Sequence, residues 1–154
     1  MTTTAGAAAP DFTLLTDTGE ALTLSSLRGR PVVLYFYPKD DTPGCTTQAC
    51  EFRDAFPAFD GTSAVVLGIS PDSVKSHAKF RAKFDLPFTL LSDAERLVAG
   101  EYDVWKEKSM YGRKYMGVER TTFLIDANGD IARVFSKVKP AGHAAEVMEA
   151  ITKL

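Results

Sequence analysis

Residues Val32 to Phe56 read VVLYFYPKDDTPGCTTQACEFRDAF, an apolar run, a polar turn and then an amphipathic stretch. The opening VVLYFY shows no alternation, which suits a strand covered on both faces. Thr42-Pro43 has the chemistry of a helix start: a hydroxyl at the N-cap, and a proline where a missing N–H costs nothing. The helix is predicted to run to about Phe56, with Pro57 as its stop. A buried strand feeding a helix opens a βαβ unit, and this helix holds the chain's two cysteines, Cys45 and Cys50.

The alternation of strand and helix continues downstream. SAVVLGIS (Ser63 to Ser70) reads as a second buried strand, with a helix from Ser73 to about Phe84. Phe88 to Leu91 is a short strand, followed by a predicted helix from Asp93 to about Tyr102. TTFLID and IARVF flank Ala127-Asn128-Gly129-Asp130, whose Asn-Gly pair is a hairpin signal. A last amphipathic helix spans about Gly142 to Leu154. Upstream, Phe12 and Leu14 alternate with polar neighbours as in an edge strand, and a second short strand falls near Leu22 to Leu24. Lys106 to Val118 is the least periodic stretch and reads as a mobile loop. The order βαβ then ββα is that of a thioredoxin-like α/β fold, a central mixed sheet flanked by helices. Residues 1–9 read as a short flexible segment and residues 10–154 as one domain.

Composition narrows the function. With 154 residues, the chain has one domain's worth of sequence and enough to bury a core without staples. Its net charge is −2 and its 18 basic residues are dispersed, so the basic stripe of a nucleic-acid binder is missing. VVLYFY is far too short to span a membrane, and the MTTTAGAAAPDF start lacks the regions of a signal peptide. A cytoplasmic location is the expectation. Two cysteines are too few for a disulfide scaffold or a zinc site, so no metal or cofactor is implied. In a reducing compartment a close cysteine pair points to redox chemistry.

Position decides what kind. Cys45 is the third helical residue, near the Thr42 hydroxyl and the unpaired N–H groups of the first turn. The positive end of the helix dipole favours an anion there, and thiolate is the nucleophilic form of cysteine. The competing reading is a small buried hydrophobe, since Cys45, Ala49, Phe52 and Phe56 share one stripe. Cys50 lies about 140° away around the helix, off that stripe. Cα atoms five residues apart on a helix are separated by about 8.7 Å, whereas a disulfide tolerates at most about 7 Å. Bonding the two cysteines therefore requires the first turns to unwind. Arg120, just before TTFLID, could hold an anion or make a strand-end salt bridge. His77 reads as part of a solvated Lys- and Arg-rich helix face, His143 as a capping or surface residue, and Trp105 as core.

Taken together, these residues resemble the peroxiredoxins, specifically the bacterioferritin comigratory protein or PrxQ branch. Pro38, Thr42 and Cys45 meet the pattern Pro-x-x-x-Thr-x-x-Cys, and Cys50 follows at the branch's spacing. ERTTFLID supplies an arginine at Arg120, and KFRAKFDLPFTLLSD (Lys79 to Asp93) is similar to the same branch. The resemblance implies a thioredoxin-like fold with an N-terminal β extension. It implies a peroxidatic Cys45 that attacks a hydroperoxide, and a resolving Cys50 that closes an intramolecular disulfide. Pro38 would shield the thiolate, while Thr42 and Arg120 would hold the peroxide. The implied partners are a hydroperoxide and thioredoxin, or a glutaredoxin-type protein, acting on a monomer. Two other readings stay open: a disulfide oxidoreductase, which would usually carry C-x-x-C, and a redox sensor whose output is a partner contact.

Overall fold

The computed structural model describes residues 4–154. Nine strands and four α-helices follow in the order β1 (Thr13–Thr16), β2 (Ala21–Thr23), β3 (Val32–Phe36), α1 (Pro43–Gly61), β4 (Val65–Ser70), α2 (Val74–Phe84), β5 (Thr89–Ser92), α3 (Leu97–Glu101), β6 (Trp105–Met110), β7 (Arg113–Val118), β8 (Thr121–Ile125), β9 (Ile131–Phe135) and α4 (His143–Ile151). Seven strands form one sheet in the order β2-β1-β5-β4-β3-β8-β9. β3, β4 and β5 are parallel, and the remaining neighbours are antiparallel. This is the mixed sheet of a thioredoxin-like fold. No helix among the described residues is long and apolar enough to cross a membrane.

The run at 32–36 lacks alternation because β3 is central and both its faces are buried. Val33 and Tyr35 point into a core shared with Ala49 and Phe52 of α1, Phe80 of α2 and Val147 of α4. Val32, Leu34 and Phe36 point the other way, onto Val98 and Ala99 of α3, Tyr102 and Phe123. Two-sided burial in this way explains why helices flank the sheet.

Four elements depart from the sequence reading. α1 continues through Pro57 to Gly61. Proline removes a helical hydrogen bond, but Pro57 is exposed, and Phe52 and Phe59 on either side of it are both buried, docking both halves. The helix expected from Asp93 shrinks to Leu97–Glu101. Asp93 instead caps it with its carboxylate, accepting from the N–H groups of Val98 and Ala99, while Arg96 takes a left-handed φ of 61°. β1 is not an edge strand, since β2 lies outside it.

The stretch expected to be a mobile loop is the β6–β7 hairpin. Its turn, Tyr111-Gly112, has positive φ at both residues, which suits a two-residue hairpin connection. Most of its side chains are exposed, so no buried face imprints a period on the sequence. Of the segment 1–9, residues 1–3 lie outside the described residues. Residues 6–9 are held by backbone hydrogen bonds: Gly6 N–H donates to Ile131, Ile131 N–H to Ala7, and Ala9 N–H to Gly129.

Candidate active site

The C-terminal end of β3 leads through Pro38 and Thr42 into α1, whose third residue is Cys45. Thr42 sits at the N-cap with extended backbone, but its hydroxyl makes no side-chain cap. It donates to the Lys39 carbonyl at 2.9 Å instead. The Thr42 oxygen therefore has lone pairs left to accept a hydrogen bond, and no side chain among the described residues caps the helix start.

Cys45 is buried, 2% exposed, and also lines the core stripe with Ala49 and Phe52. That packing is what a small buried hydrophobe would show. Arg120 reaches the sulfur as well, from the loop before β8. One guanidinium nitrogen, Nη2, donates to Cys45 Sγ at 3.3 Å, and Nη1 donates to Gln48 Oε1 at 2.6 Å. Arg120 makes no salt bridge among the described residues, so the strand-end ion pair is not its role. Gly44 makes room for it: a Cβ there would lie 3.2 Å from Nη2.

A cation donating to sulfur at the N-terminus of a helix stabilises negative charge on that sulfur. The AhpC/TSA family model matches residues 5–134. The chain belongs to the AhpC/TSA family.

Within that family the chain is similar to Bcp and peroxiredoxin Q proteins. A Bcp-type peroxiredoxin of Coxiella burnetii is 55% identical over 148 residues, covering 96% of this chain and 98% of its own. Peroxiredoxin Bcp of Bacillus subtilis is 50% identical over 98% of this chain and 96% of its own. The solved bacterioferritin comigratory protein of Xanthomonas campestris superposes with a TM-score of 0.88 at 44% identity, covering 92% of this chain and 90% of that one.

Pro38 is half-buried beside Tyr37, whose ring lies in the core. Cys50 is half-buried on a continuous α1, and both cysteines are free thiols. Gln48, Lys108 and the two histidines are what sequence reasoning missed or misplaced. Gln48 is 1% exposed, and its amide nitrogen has no partner among the described residues. Lys108 is half-buried on a largely exposed hairpin, its stem over Gly117, where a Cβ would come within 3.2 Å. Burial pushes its ammonium pKa down, and Arg120 adds to that, while Cys45 and Glu119 oppose it.

Neither histidine is on the surface. His77 is 0% exposed and bound to Asp40, and His143 is 1% exposed at the first position of α4. His143 Nε2 lies 2.7 Å from Thr122 Oγ1, and Nδ1 lies 2.6 Å from Glu146 Oε1. Burial lowers the pKa of His143 against the opposing pull of Glu146. Asp40, Asp72 and His77 are close enough together to ligate a metal ion. Each is already engaged in hydrogen bonds, however: Asp40 with Tyr37 and Ser76, Asp72 with Ser70, and His77 with Leu91. The three therefore form a closed polar cluster rather than an open ligand set.

Proposed function

We propose that the chain is a thiol peroxidase that reduces hydrogen peroxide and organic hydroperoxides to water and alcohols, with Cys45 as the nucleophile. The Cys45 thiolate attacks the nearer peroxide oxygen. The S–O bond forms, the O–O bond breaks, and the leaving oxygen departs as hydroxide or alkoxide to be protonated. Arg120 donates to sulfur and to the departing oxygen. Thr42 accepts the peroxide O–H, which aligns the O–O bond with sulfur. Pro38 shields the sulfur from bulk water.

Cys50 then attacks the Cys45 sulfenic acid, forming a disulfide and releasing water. A dithiol protein of the thioredoxin or glutaredoxin type reduces that disulfide. This cycle needs no metal or organic cofactor and works in a monomer, in one domain over residues 10–154. A reducing cytoplasm is the compartment that keeps both thiols ready between turnovers.

The observation that carries this reading is the Arg120 Nη2 to Cys45 Sγ hydrogen bond at 3.3 Å. The Xanthomonas campestris relative, described by its alkyl peroxide reduction activity, supports the substrate class. The test is NADPH oxidation coupled through thioredoxin and its reductase, with hydrogen peroxide and an organic hydroperoxide in parallel. Turnover with either, lost in Cys45→Ser, is the expected result. Full activity in Cys45→Ser removes Cys45 from the chemistry, and reduction of insulin without peroxide turnover points to a disulfide oxidoreductase instead.

A further inference from the structure

The β3–α1 loop carries Pro38 and Thr42, so its position decides where a hydroperoxide lies against Cys45. The loop is tied down by a buried polar cluster that the peroxidase cycle does not use. Asp40, 7% exposed, accepts from Tyr37 Oη at 2.6 Å on Oδ1 and from Ser76 Oγ at 2.8 Å on Oδ2. Its own N–H donates to Asp72 Oδ2 at 2.8 Å, and Ser70 Oγ donates to the same oxygen at 2.6 Å. His77 closes the cluster, with Nδ1 at 2.7 Å from Asp40 Oδ2 and Nε2 at 2.8 Å from the Leu91 carbonyl oxygen.

The two ends of the imidazole fix the proton count. A carbonyl oxygen only accepts, so Nε2 carries a hydrogen. That leaves Nδ1 of a neutral ring as an acceptor, facing a carboxylate that is also an acceptor. A separation of 2.7 Å between them requires one more proton. The pair is neutral overall when it holds that proton. Without it, a net negative charge would be buried and two lone pairs would oppose each other.

We propose that the His77–Asp40 pair, sharing one proton, is the positioning device that sets the β3–α1 loop, and through it Thr42 and Pro38, against Cys45. Its anchor points come from β3 (Tyr37 just beyond its end), α2 (Ser76 and His77) and β5 (Leu91). β3 and β5 are strands of the central sheet and α2 packs against β5, so the loop inherits their rigidity. Asp40 is a positioning residue: it acts through the loop and touches neither the thiol nor the peroxide. The proposal rests on Cys45 as the nucleophile. Cys45→Ser tests that reading on its own, because it should abolish peroxide reduction whatever the loop does.

The decisive experiment compares two reactions of Cys45 in the reduced protein. Reduction of hydrogen peroxide needs the loop in place, whereas alkylation by iodoacetamide needs only a reactive, accessible sulfur. Asp40→Ala is expected to slow the peroxide reaction about 10-fold or more while alkylation stays within about twofold, since small misplacements of an aligned reactant carry large rate costs. Asp40→Asn should restore most of the rate. Its amide can donate to a neutral Nδ1 and to Ser76 Oγ and still accept from Tyr37, keeping the geometry without the shared proton.

Nitrogen-15 spectra of the imidazole read the shared proton directly. The wild type is expected to show slowly exchanging protons on both His77 nitrogens, and Asp40→Asn on Nε2 alone. A wild-type peroxide rate in folded Asp40→Ala overturns the proposal, as does an equal loss in both reactions or a single ring proton in the wild type. If Asp40→Ala does not fold, Ser76→Ala carries the same test. It removes one hydrogen bond to Asp40 and should cost about threefold, confined to the peroxide reaction. A wild-type rate there also overturns the proposal.

Discussion

The surroundings of Cys45 set both its position and its charge environment. Its 2% exposure and its contacts with the aromatic core hold the sulfur in place, and the Arg120 guanidinium donates to it. Arg120→Gln keeps polar reach but loses the cation, and is expected to slow peroxide reduction by about 10²-fold or more, the cost typical of one electrostatic stabiliser. Stopped-flow kinetics with circular dichroism on the same sample checks this, and an unchanged rate would leave the hydrogen bond to sulfur without a catalytic role. Gly44→Ala probes the same contact from the other side. Its Cβ would sit 3.2 Å from Nη2, and because Gln48 and Cys45 hold the guanidinium at its tip, the strain falls on the Arg120–sulfur bond. A slower peroxide reaction with unchanged helix content is the expected outcome.

At the scale of the element, the helical form of α1 stands against any bond between its two cysteines. Five residues of helix separate the Cα atoms by about 8.7 Å, beyond what a disulfide spans. Oxidation should therefore melt the turns from Thr42 to Cys50. The opening has a natural end, because Glu51 Oε1 accepts from Gly142 N–H at 2.9 Å and Phe52 is buried in the core. Hydrogen exchange on reduced and peroxide-treated protein is expected to show lost protection over residues 42–50 and retained protection beyond Phe52. Unchanged protection, with the intramolecular disulfide confirmed by mass, would sink the unwinding step. In Cys50→Ser the bond cannot close, so sulfenic acid should accumulate and over-oxidise to sulfinic acid under excess peroxide, seen as mass gains on Cys45. Wild-type thioredoxin-linked turnover in that variant would remove Cys50 from the cycle.

For the molecule as a whole, His143 couples stability to pH. It joins α4 to β8 through Thr122, and its ring meets Phe52 of α1 and Phe135 of β9 edge to face. Burial holds its pKa below the ordinary 6.5 in the folded state, with the Glu146 carboxylate as the opposing influence and Arg120 and Glu51 acting in opposite directions. The unfolded chain therefore takes up a proton that the folded one refuses. The stabilisation this gives is fully present above about pH 6.5 and is lost as pH falls through the lower folded-state value, by at most about 1.4 kcal/mol per unit. Urea unfolding at pH 7.5, 6.5 and 5.5 should show this loss, and His143→Gln should flatten it. An identical pH slope in the variant would assign the loss to other groups.

What the sequence determined is what local chemistry dictates. The two-sided burial of VVLYFY, the Thr42-Pro43 helix start, the Asn128-Gly129 turn and Cys45 at the third helical position all follow from near neighbours, and all appear in the structure. The unwinding requirement also follows from spacing alone. Tertiary structure decided the rest, for physical reasons that no window of sequence contains. Arg120 and Cys45 are 75 residues apart in sequence, and only the β3–β8 pairing brings the guanidinium to sulfur rather than to a surface carboxylate. Pro57 stays helical because Phe52 and Phe59 are buried on either side of it. The β6–β7 hairpin hid from periodicity because it has little buried face to pattern. His77 lies on a helix whose sequence reads as solvated, yet it is enclosed by a loop 37 residues upstream, where Asp40 gives a buried imidazole the partner it needs. A buried polar group is chosen by its partner, and the partner is supplied by the fold.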